Sequence, residues 1–314
     1  MYFAAKGCKE DPKVKRYHTF LKVIELGSFT KTAEELGYTQ SAISQMIQSL
    51  ESELETTLLL RSRSGIELTA DGKELLPYIY NICNSYHNLS EKLKEMHNLQ
   101  SGVIRIGTFS SISCHWLPQL IDEFHKTHPG ISFELHQVVE YNEMADLIQN
   151  GHVDFGFLTP DAAGSHPHID LDEDQMMAVL SANHPLASQN TVTLEQMANE
   201  PYILLDEGDI NEPLSYFRSN HLEPQIRYRV HDDYTIMSMV ELNLGVSILS
   251  QMFLQRSSYN LAVRPIEPPV KRTISLSFRH METLPTAARH FIDLVVKTHC
   301  NNEKGRAQWN DMFR

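Results

Sequence analysis

The sequence predicts two folds in one chain: a small α-helical domain with a hairpin wing, and a larger α/β body built of two lobes. With 314 residues, the chain is longer than one hydrophobic core comfortably serves. Apolar residues recur at steps of three and four up to about residue 55, whereas short apolar runs alternate with amphipathic segments after Gly102. This change of period separates the two folds.

Composition and charge exclude several classes of protein. Four scattered cysteines without a C-x-x-C pair argue against a disulfide framework or a thiolate zinc site, and favour a reducing cytoplasm. We expect no signal peptide and no membrane span, because no apolar run is long enough for a span. The first 70 residues are neutral, so the rest carries the net charge of −13. That balance argues against non-specific coating of nucleic acid and leaves local binding by the N-terminal part open.

Three short helices are predicted in the first 55 residues. An apolar stripe from Val14 to Ile24 ends near Gly27, and Ser28 and Thr39 are N-cap candidates for the next two helices. Helix, tight turn and helix form the pattern of a helix-turn-helix. Short or amide side chains that suit base edges or phosphates line the exposed face of the third helix, at Gln40, Ser41, Ser44, Gln45 and Gln48. Any solvated three-helix unit also has a polar face, so this pattern alone leaves both interpretations open.

A short hairpin is predicted after the third helix. Arg61 and Arg63 precede a turn at Gly65 between two short apolar strands. This arrangement predicts a wing whose arginines contact phosphate or the minor groove.

A long helix with a heptad seam follows the wing. Thr69 is its N-cap candidate, and we expect Pro77 to kink it near the N-terminal domain. A seam this narrow is typical of a helix that packs against a partner helix, so we interpret it as a dimerisation helix. The alternative is that the helix packs onto its own chain. The seam consists of Leu75, Ile79, Ile82, Tyr86, Leu89, Leu93 and Met96.

Alternating strands and helices predict a parallel sheet in the first part of the body, with a second set of elements in another lobe. A cleft between the lobes would open where strands end and helices begin, a place that favours anions. Two histidine pairs, His125/His128 and His166/His168, suggest a metal site. Neither pair has nearby cysteines or suitably spaced carboxylates, so the metal site is only a minor alternative. No catalytic or cofactor motif is recognisable, so we expect neither an enzyme nor a cofactor.

The stretch from Phe20 to Leu76 resembles the winged helix-turn-helix of the LysR-type transcriptional regulators. Matching marks include Gly27-Ser28-Phe29, Ala33, Gln40 and Leu50-Glu51. The resemblance implies a domain over 13–69 and a dimerising linker over 70–99. It also implies base contacts from Gln40, Ser41, Ser44 and Gln45, phosphate contacts from Ser28, Thr30 and Lys31, and wing contacts from Arg61 and Arg63. Where the family usually has proline at 41 and a basic residue at 45 or 48, this chain has Ser41, Gln45 and Gln48, which suggests weaker phosphate attraction.

The body resembles the effector domain of the same family, related in fold to two-lobed periplasmic binding proteins. Matching marks include Leu117-Pro118, His128-Pro129-Gly130 and Gly245-Val-Ser247. The implied domain spans 100–300, with lobe 1 at about 100–172 and 272–300 and lobe 2 at about 173–271. By position, the family's effector contacts fall on Ser110, Ser111, Thr159, Asp206 and Ser247. Hydroxyls at helix starts suit a small organic anion, although ordinary N-capping explains each equally well.

An acidic loop lies near the expected mouth of the cleft, where its negative charges would not favour an anion. Its members are Asp206, Glu207 and Asp209. We interpret it as a solvated loop, with an ammonium-binding site as the alternative. The polar tails 1–12 and 301–314 have no predicted role.

The leading hypothesis is a cytoplasmic, dimeric or tetrameric regulator that binds promoter DNA and responds to a small molecule in the cleft. A second hypothesis is a two-lobed small-molecule binding protein or enzyme whose N-terminal helices serve only for oligomerisation.

Overall fold

A computed structural model describes residues 11–62, 65–96, 102–255, 258–301 and 303–313 of the chain. The chain divides into two compact units, which are described separately. The first contains Met1–Leu99 and Asn150–His152, and the second contains Gln100–Gln149 and Val153–Arg314. No helix in the described part of the chain is long and apolar enough to cross a membrane.

The secondary structure alternates as predicted after residue 102. The helices are α1 (Pro12–Leu26), α2 (Phe29–Leu36), α3 (Gln40–Glu53), α4 (Ala70–Met96), α5 (Ser110–His115), α6 (Leu117–His125), α7 (Tyr141–Gln149), α8 (Pro160–Ala163), α9 (Leu194–Ala198), α10 (Glu212–Ser219), α11 (Asp233–Glu241), α12 (Gln251–Leu254), α13 (Thr286–His299) and α14 (Glu303–Phe313). The strands are β1 (Leu59–Ser62), β2 (Gly65–Leu68), β3 (Gly102–Thr108), β4 (Ile131–Gln137), β5 (Phe155–Leu158), β6 (His168–Ser181), β7 (Val192–Thr193), β8 (Pro201–Leu205), β9 (Gln225–Val230), β10 (Ser247–Ser250) and β11 (Leu261–Phe278).

The first unit is a helix-turn-helix with an antiparallel hairpin. The Ser28 hydroxyl caps α2 by accepting from the Lys31 N–H, and Thr39 caps α3 through the Ala42 N–H. Gly37 ends α2 with a φ of 71°, a left-handed conformation that glycine adopts without steric cost. The inner faces of α1, α2 and α3 bury Phe20, Ile43 and other apolar residues in one core that extends to the hairpin and α4. These caps and this core confirm the three predicted helices and their order along the chain.

The long helix α4 does not present the whole predicted seam to solvent. Ile79 is 3% exposed and, with Leu75, packs into the core of its own unit. Ile82 and Leu89 are 42% and 55% exposed, so the available stripe begins after the first helical turns. The first part of the heptad pattern, with Leu75 and Ile79, packs onto its own unit, which is the alternative that the sequence left open. The later part, with Ile82 and Leu89, is exposed. Leu93 and Met96 lie on the helix, but their side chains are outside the described part.

The second unit contains a mixed sheet, and the part that the sequence predicts to be parallel is parallel. One sheet has the strand order β10-β6-β11-β5-β3-β4. β3 is parallel to both β4 and β5, whereas β11 is antiparallel to β5 and β6. The sequence pattern predicted no direction for β6 and β11, and these two strands add the antiparallel part of the sheet.

The same two strands join the lobes. β6 and β11 pair over most of their lengths, and their outer ends also carry β10 and β7 in the second lobe. β8 and β9 form a parallel pair that meets β10 through Tyr202 and Val246. Each lobe has its own apolar core, one around Phe155 and Phe291 and another around Phe217. The chain thus crosses between lobes on extended strands.

The C-terminal segment forms a packed helix and is not a polar tail. Trp309 of α14 is 1% exposed and joins the core of the first lobe. Gly305 lies so close to the strand β6 that an added Cβ would sit 2.2 Å from the Asp170 carbonyl oxygen. The expectation for 301–314 was therefore wrong over Glu303–Phe313, because one buried tryptophan in a polar stretch carries little sequence signal.

Candidate DNA-binding face and effector cleft

The outer face of α3 is available for contact. Gln40, Ser41, Gln45 and Gln48 are exposed, while Ile43 and Ile47 on the opposite face are buried. Ser44 is half-buried at the edge of the same face. The apolar side fixes the helix in the core, so the amide side chains stand on a rigid support.

The start of α2 supplies a second set of polar groups. Thr30 and Lys31 are exposed beside the capping Ser28, and the hydroxyl of Thr39 lies 3.0 Å from that of Ser41. Arg61 belongs to β1, although its side chain is outside the described part. Arg63 lies outside the described residues altogether, so its predicted contact remains an expectation.

An apolar groove runs between α1 and α4 in the same unit. Its volume is about 430 Å³, and it is lined by Val14, Ile82, Tyr86 and Leu89 together with the polar Asn81 and Ser85. Tyr78, which the predicted seam did not include, is 64% exposed on the same stripe of α4 as Ile82 and Leu89. A partner helix would find its apolar contacts here.

The two lobes of the second unit meet around the starts of several helices. α5, α7 and α8 begin at the ends of strands in the first lobe, and α10 and α11 begin in the second. Ile210, in the loop between β8 and α10, packs against the apolar cluster around Tyr141 and Met144. The lobes are closed on each other in this conformation.

The hydroxyls that the sequence selected have different environments. Ser110 accepts a hydrogen bond of 2.9 Å from Gln137 and faces Asp233 across the cleft. Thr159 is 6% exposed, and its hydroxyl has no hydrogen-bond partner. Both remain candidates for contact with a ligand.

The other three selected residues are occupied within the protein. The Ser247 hydroxyl donates to the Ile203 carbonyl at 2.7 Å inside the second lobe. Ser111 accepts from the Arg272 guanidinium at 2.7 Å. The carboxylate of Asp206 lies 3.4 Å from the Arg229 guanidinium at the surface. The polar groups of these three residues are thus engaged by neighbours within the protein.

A buried arginine, Arg272 of β11, contacts side chains of several elements of the second unit. Both Nε and Nη2 of Arg272 donate to the Asp174 carboxylate, at 3.0 and 2.8 Å. The guanidinium also lies 4.8 Å from the ring centroid of Phe109. Asp174 receives further hydrogen bonds from the Ser250 hydroxyl and the Met252 N–H. This network holds the guanidinium in a fixed position.

Three carboxyl groups of the second lobe face this arginine. Burial raises the pKa of Glu207 well above its ordinary 4.5, the nearby Glu212 raises it further, and Arg272 opposes the rise. Burial also raises the pKa of Glu212 and of Asp233, again against the attraction of Arg272. Glu207 is half-buried and Asp209 is exposed, so the interpretation of this segment as a solvated acidic loop stays a prediction.

Comparison with known proteins identifies both units. Residues 14–73 match the family model of the bacterial regulatory helix-turn-helix proteins of the lysR family, and residues 97–299 match that of the LysR substrate-binding domain. The chain belongs to the LysR family. It is therefore a DNA-binding transcriptional regulator with an effector-binding domain.

Similar proteins cover this LysR-family chain almost from end to end. An uncharacterised HTH-type regulator of Bacillus subtilis, YvbU, is 32% identical over 88% of this chain and 95% of its own. The activator CmpR of Synechocystis is 28% identical over 89% and 93%. A full-length, singly substituted OxyR of Pseudomonas aeruginosa shares the fold with a TM-score of 0.67 at 21% identity, over 95% of this chain and 100% of that one.

Sequence reasoning missed four residues of the cleft in this LysR-family protein. Tyr141, Glu212 and Asp233 are the first residues of α7, α10 and α11, and each helix follows a strand or a loop at the end of a strand. The rule that selected Ser110 at the start of α5 could have found them. Arg272 lies within β11, where no local signal marks it.

Proposed function

We propose that a pair of these chains binds a roughly palindromic promoter site through the exposed face of α3, and that a small molecule in the cleft alters this binding. The observation that carries the proposal is the polar face of α3 held outward by a buried apolar face. Glutamine side chains such as Gln40 and Gln45 can form paired hydrogen bonds with adenine in the major groove. Such a regulator acts in the cytoplasm, where promoter DNA lies.

Contacts outside the bases would orient the helix. The capped start of α2 offers Thr30 and Lys31 to a phosphate, and Arg61 and Arg63 occupy the wing in sequence. A structure of the LysR-family regulator CbnR with its target DNA resembles this chain with a TM-score of 0.65 at 20% identity, over 90% of this chain and 99% of that one. By analogy, the same face of this chain would meet the duplex.

Pairing would involve the exposed part of α4. The stripe of Tyr78, Ile82 and Leu89 is apolar and exposed, which is the surface that a second copy would cover. A two-fold pair presents two α3 helices, so that two half-sites are read about one or more helical turns apart.

The cleft supplies the regulatory signal. The effector domain of QuiR in complex with shikimate resembles this chain with a TM-score of 0.59 at 23% identity, over 63% of this chain and 97% of that one. An effector that binds one arrangement of the lobes better than another changes promoter affinity, and a coupling of about 1–3 kcal/mol corresponds to about 5- to 150-fold. Thr159, Ser110 and Tyr141 are the polar groups that we assign to its contact.

A footprint on DNA upstream of the chain's own gene tests the proposal. The full chain should protect two half-sites, and Gln45→Ala should remove the protection. Gln119→Ala, the same change on an exposed position of α6, is the matched control and should protect both half-sites. Equal protection by both variants would contradict the role of α3 and favour a binding protein whose N-terminal helices serve only oligomerisation.

A further inference from the structure

The cleft contains more carboxyl groups than its own cation can pair with. Glu207, Glu212 and Asp233 surround an arginine that already forms a hydrogen-bonded ion pair with Asp174. The Arg272 guanidinium is the cation that acts on all three carboxyl groups. Its side chain is 5% exposed, and its Nε and Nη2 donors are committed to Asp174 and Ser111. One fixed cation thus faces four carboxyl groups.

Several buried polar atoms in this cluster have no hydrogen bond of normal geometry. Both carboxylate oxygens of Glu212 are buried without a hydrogen-bond partner. The Tyr141 hydroxyl is also without one, and the side chain of Tyr141 is 3% exposed. Burial raises the pKa of Tyr141 most, and the nearby Glu207 and Glu212 raise it further. Buried polar atoms are nearly always paired in folded proteins, and an unpaired carboxylate is the costliest case.

The loop that carries Glu207 contacts the first lobe. The loop after β8 crosses to the first lobe, where an added Cβ on Gly208 would lie 3.1 Å from the Glu140 carboxylate. Ile210 then packs on the apolar cluster of α7. These contacts place the half-buried Glu207 and Glu212 beside the first lobe, where a positively charged partner would stabilise their ionised forms.

We propose that the cleft binds its effector through a protonated amine, whose ammonium group lies against Glu207, Glu212 and the Tyr141 hydroxyl. The inference rests on the proposed function, since it names the chemistry of the effector. An ammonium group donates three hydrogen bonds and carries the charge that the cluster lacks. The organic anion expected from the serine and threonine hydroxyls would instead meet the carboxyl groups of Glu207, Glu212 and Asp233.

Matched pairs of small molecules test this with the full chain. Thermal shift is measured for butylamine against butyrate, 1,4-diaminobutane against succinate, and benzylamine against benzoate. At least one amine should raise the Tm, while its acid partner leaves the Tm unchanged. L-2-aminobutyrate, compared with butylamine, distinguishes an amino acid from a simple amine, and both carry the ammonium group.

Variants locate the binding site. Glu212→Gln keeps the shape of the side chain and should weaken binding of the active amine about tenfold or more, measured by calorimetry. Glu223→Gln, an exposed position before β9, is the matched control and should bind the amine as the original chain does. Equal affinities for the amine in the two variants would overturn the placement.

The outcomes separate this inference from the function on which it rests. If acids raise the Tm and amines do not, or if no amine of the panel raises it, the cationic effector is contradicted. Sequence-specific promoter binding, measured separately, would then still support the regulator. If promoter binding fails while an amine binds at Glu212, the cation site stands and the regulator does not.

Discussion

Asp174 and Arg272 face each other in register on β6 and β11, the two strands that run through both lobes, and their side chains pair at 2.8 Å. Both side chains are at most 5% exposed. A diagonal pair on the same two strands, Glu173 and Lys271, lies at the surface. The same two strands thus carry one buried and one solvated ion pair.

Removing one member of the buried pair should destabilise the second unit strongly. We expect Asp174→Ala to lower its free energy of unfolding by about 3–5 kcal/mol, because Arg272 would retain a buried charge without its carboxylate. Glu173→Ala is the matched control and should leave the stability unchanged within error, since the charges of Glu173 and Lys271 are solvated. Chemical denaturation of the full chain measures both. Equal losses would show that the difference in burial has no energetic consequence.

The stability of the ligand-free protein should fall as the pH rises. The carboxyl groups of Glu207 and Glu212 have a pKa above their ordinary 4.5 in the folded state, mainly because burial disfavours their charged forms. Their stabilising contribution is complete below that ordinary value and is lost as the pH rises through the folded pKa.

Glu212→Gln provides the comparison for this pH effect. As the pH rises above the ordinary value of 4.5, the variant should lose less free energy of unfolding than the original chain, because the amide cannot ionise. Glu223→Gln, at an exposed position, should follow the original chain. Parallel curves for the two variants would contradict the assigned environment of Glu212.

The C-terminal helix should contribute to the core of the first lobe. Trp309→Ala removes a side chain that is 1% exposed and stacks edge-on against Phe278, so we expect a loss of about 3–5 kcal/mol. Asn310→Ala changes an exposed neighbour and should have little effect. Thermal unfolding of the full chain compares them. A small loss for Trp309→Ala would mean that α14 is not an integral part of the lobe.

Pairing of chains should depend on the exposed stripe of α4. The double change Ile82→Lys and Leu89→Lys places two charges on the apolar groove, and light scattering should report monomers where the original chain forms dimers. Leu60→Lys, at a position of β1 that is 52% exposed, is the control and should leave the mass unchanged. Dimers that persist in the double variant would place the interface elsewhere.

Features that depend on residues close together in the sequence were predicted correctly, whereas features that depend on distant residues were not. Caps such as Ser28, Thr39 and Thr69 act over three residues, and the structure confirms all three. The positions of Arg272 and Asp174 depend on the pairing of strands 98 residues apart, which no local pattern encodes. The heptad seam was ambiguous for a related reason. Ile79 and Ile82 both belong to the predicted heptad seam, yet the tertiary fold buries Ile79 and exposes Ile82.

The most direct test of the central claim is the preference of the full chain for its own upstream DNA over a scrambled duplex of equal length, measured by fluorescence anisotropy at fixed salt. The account predicts a clear preference that falls by about 1–3 kcal/mol for each base-reading glutamine lost in the double variant Gln40→Ala and Gln45→Ala. It also predicts that Gln119→Ala keeps the full preference. A double variant that discriminates between the two duplexes as well as the original chain would contradict the claim that α3 reads the promoter.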